Sequence, residues 1–220
     1  ASQGVERTRG LVLMASADTR AAPLKAFYHS TCGGSTELPQ NVWGNVFDGF
    51  KRTVRCPFCN SSPALSWKLE LKASELEAAF KLGMRDENAG LGISAAHGLK
   101  SWPKEWKEVL RTGRLTSLRV SRRDPLGRVN EVATAWSYQR KQFELPLSGA
   151  RFRDWVGPAR FRSTHFQVSA NGPGWQVEGK GNGHGVGMCQ WGAKTMGEKG
   201  FKTAAILKHY YPDAILRKLW

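Results

Sequence analysis

Along residues 66–83, SWKLELKASELEAAFKLG, the spacing of apolar side chains changes partway. The first half alternates, which predicts a strand. In the second half Leu76, Ala79 and Phe80 form one stripe at helical spacing. Ser74 and Glu77 read as a capping box and Gly83 as the natural stop. SWPKEWKEVLRTG predicts a second short helix, with Pro103 near its start and Gly113 after its end.

Upstream, GLVLMASADTRAAPLKAFYHST reads as two strands around a turn at Ala17-Asp18-Thr19, with Val12 to Met14 and Ala26 to Tyr28 as strand residues. A loop rich in Gly, Pro and Asn follows from Cys32 to about Pro63; loops of that length in compact domains are usually functional or cross-linked. Residues 113–136 predict a hairpin turning at Asp124-Pro125-Leu126-Gly127, and residues 164–181 another turning at Asn171-Gly172-Pro173-Gly174. LSGARFRDWVG reads as a short helix capped by Ser148, and residues 192–212 hold one or two helices. The class is α+β: mixed antiparallel strands with several short helices and long irregular loops. We read residues 1–220 as one domain, with 68–150 as a candidate inserted or peripheral subdomain.

At 220 residues the chain can bury a core without staples, so its four cysteines call for another explanation. The net charge of +15 suggests acidic partners such as nucleic acid, anionic lipid or an acidic wall polymer. Lys and Arg are scattered, however, and no named nucleic-acid motif accompanies them, so no nucleic-acid partner is expected. No apolar run approaches the length of a membrane span. The opening ASQGVERTRG has neither an initiator methionine nor a signal peptide, so a mature, cleaved or truncated product is expected.

His29-x2-Cys32 and Cys56-x2-Cys59 are two ligand pairs with short internal spacing. Such a turn presents two donors to one ion, and two turns complete a tetrahedron, which points to zinc. Arg52 and Arg55 would favour thiolates there. Disulfides remain open, since the count is even, and Cys56-x-x-Cys59 alone would also suit a redox pair. Cys189 is an alternative ligand in place of His29, a buried thiol, or a partner for Cys32.

The segment GKGNGHGVGMCQWGAKTMG, residues 179–197, contains no G-x-G-x-x-G. Gly174-x4-Gly179-Lys180 opens like a P-loop but has Gly181 where Ser or Thr should bind magnesium. Dense glycine around His184 suits a tight loop that brings backbone and imidazole to a ligand, with amides near Gly185 to Met188 as donors to an oxyanion or sugar oxygen. The alternative is a histidine that structures its own loop.

Taken together, TRGLVL (8–13), AFYHSTCGGSTE (26–37), VWG (42–44), RCPFCNSSPALSW (55–67), LSGARFRDWVG with FRSTHF (148–166) and GHGVGMCQWGAKTMGEKG (183–200) resemble the stage II sporulation protein D family, which includes the amidase enhancers. The resemblance implies action on peptidoglycan in the cell envelope, periplasmic or secreted. The implied reaction is cleavage between N-acetylmuramic acid and N-acetylglucosamine, by lytic transglycosylase or lysozyme-like chemistry. A transglycosylase needs one carboxylic acid to protonate the leaving oxygen while the 6-hydroxyl closes an anhydro ring. A hydrolase commonly adds a second carboxylate. The acid must be protonated at working pH, so its site must raise its pKa.

The family's proposed glutamate lies in a Glu-Met-Pro-type segment ahead of the part matched from residue 1 onward, so that role transfers to no residue here. Glu37 is the local substitute; its alternative is a loop acid bonded to backbone amides or to an arginine. Glu144 reads as structural and Glu178 as solvent-facing. His184 and Gln190 are candidates for orienting the sugar, and Trp43 and Trp191 for stacking on it or for burial in the core. The resemblance also favours a metal or cross-linked cluster beside the groove, structural in role. The rival function is a non-catalytic amidase enhancer that binds wall or a cell-wall amidase. The expected partner throughout is peptidoglycan, with carboxylates on its stem peptides matching the basic charge.

Overall fold

The computed structural model describes residues 6, 8–18, 20, 22–88 and 104–219. It confirms an α+β fold of small sheets and short helices.

The larger apolar cluster is built on two antiparallel sheets. Strand β3 (Ser66–Lys72) pairs with β8 (Gly174–Lys180), which pairs with β7 (Phe166–Asn171). The second sheet is the meander β4 (Arg114–Arg123), β5 (Val129–Tyr138) and β6 (Lys141–Ser148). Helices α2 (Ala73–Asn88), α3 (Lys104–Thr112) and α4 (Gly149–Val156) pack against this pair of sheets. Phe80, Trp136, Phe152 and Phe161 are fully buried between them. A buried indole needs a partner for its N–H, and Trp136 Nε1 donates to Thr134 Oγ1 at 2.9 Å.

The smaller cluster holds the site. Here β1 (Leu11–Met14) pairs antiparallel with β10 (Ile215–Lys218), and β2 (Tyr28–His29) runs parallel to β9 (Met188–Cys189). Helices α5 (Gln190–Glu198) and α6 (Thr203–Tyr210) follow. The four cysteines, Val186, Tyr210 and Tyr211 are buried together there.

The hairpin turns at 124–127 and 171–174, the Ser148 cap (accepting from Arg151 N at 3.1 Å) and α3 with Gly113 after its end follow the sequence expectations. Pro103 and Thr19 lie outside the described residues. Four expectations need correction. The turn after β1 forms, with Ala15 N donating to Ala22 O, but β1 and β2 do not pair with each other; each finds a partner from the last 33 residues, because that is where their apolar faces are covered. The 32–63 loop contains a short helix, α1 (Pro39–Trp43), with Pro39 in its first turn and Gly44 in the left-handed conformation after it. Helix α2 starts before Ser74. Glu75, not Glu77, reaches back to the backbone, accepting from Lys72 N at 3.2 Å, while Glu77 accepts from Leu115 N at 2.9 Å. Finally, α2 runs through Gly83, whose bare Cα is covered by the Trp155 ring: close packing, not termination, puts a glycine there.

Candidate functional site

The four sulfurs of Cys32, Cys56, Cys59 and Cys189 lie within 4.8 Å of one another, and all four residues are buried. None is bonded to another, and Cys32 Sγ to Cys59 Sγ is 3.5 Å, far beyond a disulfide bond. Three separate chain segments meet here: the end of β2, the 56–59 turn, and the start of α5. Cys189 therefore occupies the fourth corner, and His29 stands outside the group.

The surroundings are built for thiolates. Sulfur accepts backbone N–H bonds at Cys32 (from Gly34, 3.4 Å) and at Cys189 (from Cys32, 3.3 Å, and from Gly192, 3.4 Å). Cys189 is also the N-cap of α5, where the helix dipole favours negative sulfur; the hydrogen bond with Cys32 pulls the same way, but those with Cys56 and Cys59 and burial push its thiol up. Hydrogen bonds from Cys189, then Cys32, push the Cys56 thiol down to about 7. Those from Cys189 and the other two cysteines also lower Cys59, and the hydrogen bond to Cys189 leads those that push Cys32 up. Tyr210 Oη lies 3.1 Å from Cys56 Sγ. A β-carbon on Gly192 would come within 2.7 Å of that sulfur, which explains the glycine in CQWGA. Four soft donors at this spacing, with N–H groups aimed at them, could hold a metal ion.

The predicted substrate-facing residues divide into two groups. Glu37 forms a parallel bridge with Val186, its N–H donating to Gly185 O at 2.9 Å. Its carboxylate is buried, and Oε1 accepts from Leu38 N and Asn41 Nδ2, each at 2.8 Å. Burial pushes the carboxyl above its ordinary range, against the pull of the Arg128 charge and of those donors. Helix α1 serves both ends of this arrangement, since Asn41 holds Glu37 and the Trp43 ring lies 5.0 Å from His184.

His184 accepts from Val186 N at Nδ1 (3.0 Å), and its ring also bonds the Tyr28 backbone. Burial lowers its pKa, favouring the uncharged ring, and its edge is engaged by its own loop. What it offers is a ring face beside Trp43. His29 donates from Nδ1 to Val186 O (3.1 Å), which leaves Nε2 as a buried acceptor without a partner. Burial, then the Arg128 charge, drives its pKa down to about 3.

Gln190 and Trp191 open α5. Gln190 is exposed. Trp191 is half-buried, tied through its N–H to Ser30 O, with Lys194 Nζ 5.3 Å from the ring centre. Glu144 pairs with Arg119 and Glu178 with Lys68, both at the surface.

Sequence reasoning missed Arg128. It is fully buried, and Nη2 donates to the carbonyls of Cys32 and Ser35, both at 2.7 Å, while Nη1 donates to Thr164 Oγ1 at 3.2 Å. The 124–127 turn aims it: Asp124 Oδ1 accepts from Arg128 N at 2.8 Å. The signal lay in the hairpin, where an arginine directly after a D-P-L-G turn sits at a fixed position on the following strand.

This is an α+β domain in which a four-cysteine knot joins a glycine-rich histidine loop to a loop carrying a buried glutamate. No family model matches the chain. Relatives do. It is 26% identical to an amidase enhancer of Bacillus subtilis over 98% of this chain and 32% of that protein. It is 28% identical to stage II sporulation protein D of Bacillus amyloliquefaciens over 86% of this chain and 44% of that protein, and 27% identical to the Bacillus subtilis protein of the same name over 89% and 48%. The chain is thus similar to proteins of the stage II sporulation protein D and amidase enhancer family. The chain spans a third to a half of the length of these curated relatives. Among the described residues, no helix is long and apolar enough to cross a membrane.

Proposed function

We propose that this chain engages the glycan strand of peptidoglycan in the cell envelope, and that the protein containing it cleaves the bond between N-acetylmuramic acid and N-acetylglucosamine. The observation that carries this reading is the Glu37–Val186 bridge, which joins a carboxyl raised by burial to the loop of His184, beside Trp43. Glycoside cleavage needs an acid that holds its proton, and burial shifts the Glu37 carboxyl in that direction. The paired rings of Trp43 and His184 suit the apolar face of a sugar. Gln190 and Trp191 extend the proposed contact surface along α5.

Cys32, Cys56, Cys59 and Cys189 would hold zinc. With four protein ligands it has no open position, so it supplies cross-linking rather than water activation. The positive charge of buried Arg128 would be compensated by such a thiolate centre.

The test uses the intact native protein on purified sacculi. Release of anhydro or new reducing ends is the expected result. Glu37→Gln then locates the acid: loss of those ends with wall binding retained assigns it to Glu37, whereas undiminished release assigns it to a segment outside these residues. Sedimentation with the wall but no release at all would overturn the cleavage reading in favour of a wall-binding enhancer of an amidase, the activity named for one relative.

A further inference from the structure

A second site lies away from the cysteine knot. Where β3 begins and β8 ends, near the 124–127 turn, a cavity of about 420 Å³ opens between the two three-stranded sheets. Trp67 and Phe166 line its apolar side, and Lys68, Arg123 and Lys180 contribute three cations against one carboxylate, Glu178. That carboxylate is already engaged by Lys68 at 2.6 Å and by Gln176 at 3.1 Å. Two residues that line it carry a buried ring nitrogen with no partner: Trp67 Nε1, on a residue only 6% exposed, and His165 Nδ1. An indole N–H can only donate, so an unmatched one beside three cations is complementary to an acceptor with negative charge. A second hollow of about 660 Å³ shares Arg123 and Gln167 with the first and adds Arg119 and Arg122 from β4. Arg119 is paired with Glu144; Arg122 has no ion-pair partner among the described residues.

We propose that this basic cleft binds carboxylate groups of the peptide stems that the wall glycan carries. The proposal rests on the peptidoglycan reading above and names the part of the polymer that the second site takes. Two joined hollows with cations along both suit an extended chain bearing several carboxylates better than a single small anion. Arg123 and Lys180 hold the carboxylates, and Trp67 contributes one directional donor. The cleft also has a backbone path to the glycan-facing loop. Lys180 O accepts from Ser163 Oγ at 2.6 Å, and residues 181–184 follow directly. A strand bound at His184 could therefore present its stem to this side of β8.

The test is titration of the intact protein with a soluble disaccharide-peptide from wall, and with the same compound after amidation of its carboxylates. The expected result is about tenfold or greater weakening on amidation, and again in the Arg123→Gln/Lys180→Gln double variant, since each change removes charge-assisted hydrogen bonds. The Trp67 indole N–H resonance, assigned by its loss in Trp67→Phe, should move on binding. Both substituted side chains are exposed, so an unchanged melting temperature separates lost binding from lost fold. Equal affinity for the amidated compound, an unaffected double variant, or displacement by equimolar inorganic phosphate would each overturn the assignment. Failure of the wall reading is distinguishable, because the unaltered protein would then not sediment with sacculi. A wrong assignment of the cleft leaves sedimentation intact in both proteins.

Discussion

Arg128 and Gly185 are in direct contact across the site: a β-carbon on Gly185 would come within 2.8 Å of Arg128 Nη2. The same guanidinium holds the carbonyls of Cys32 and Ser35. One side chain thus ties the meander to both the cysteine loop and the histidine loop. Arg128→Met keeps much of the volume but leaves those carbonyls without their donor. Unsatisfied buried groups cost about 1–3 kcal/mol each, so denaturant unfolding should show a loss of about 3 kcal/mol or more. Arg128→Lys restores the charge without the fork, and recovers only part of that loss. A variant as stable as the parent would show that the guanidinium does not organise the site.

Metal content discriminates among the ligand candidates. The native protein should carry one zinc per chain by elemental analysis, His29→Ala should retain it, and Cys189→Ser should lose it, since His29 lies outside the sulfur group. Chelation should lower the melting temperature, because binding energy at such a site is folding energy. Loss of zinc in His29→Ala with retention in Cys189→Ser would reverse the ligand assignment.

Local pattern was enough for the hairpins at 124–127 and 171–174, the Ser148-capped helix and the class of the fold, because each depends on residues close in sequence. What was not legible is non-local. Nothing near Tyr28 reveals that its strand will pair with Met188–Cys189, 160 residues on. The same holds for the fourth ligand: His29 has the right spacing to Cys32, but β2 carries its side chain to Val186 while β9 delivers Cys189 to the sulfurs. Arg128 looked like one of many scattered basic residues until the fold buried it.

Glu37 gives a pH signature of stability. Burial raises its folded-state pKa above the unfolded value, so between those two values the folded protein keeps a proton that the unfolded chain releases. The contribution is therefore present below the ordinary carboxylate range and falls away as pH rises through the folded pKa. Glu37→Gln removes that titration while preserving an acceptor for Leu38 N and Asn41 Nδ2. The variant should gain on the parent as pH rises from 4 to 7 in parallel denaturation series. A constant difference across that range would mean that Glu37 does not titrate with folding.

Two helical glycines should respond to alanine with opposite signs. In a helix interior Gly→Ala gains up to about 1 kcal/mol where space allows. Gly197, in the last turn of α5, has nothing within 4 Å of an added β-carbon, so Gly197→Ala should stabilise by a few tenths of a kcal/mol, on the order expected near a helix end. Gly83, in the middle of α2, faces Trp155, whose ring already packs edge-on against Phe80 at 5.1 Å. To admit a methyl group the indole must leave that position. Overpacking of this kind costs about 1–3 kcal/mol, more than the helix propensity returns. Gly83→Ala should therefore lower the melting temperature despite improving the helix, and Gly83→Ala with Trp155→Leu should recover part of the loss. Stabilisation by Gly83→Ala alone would show that Trp155 does not occupy that face.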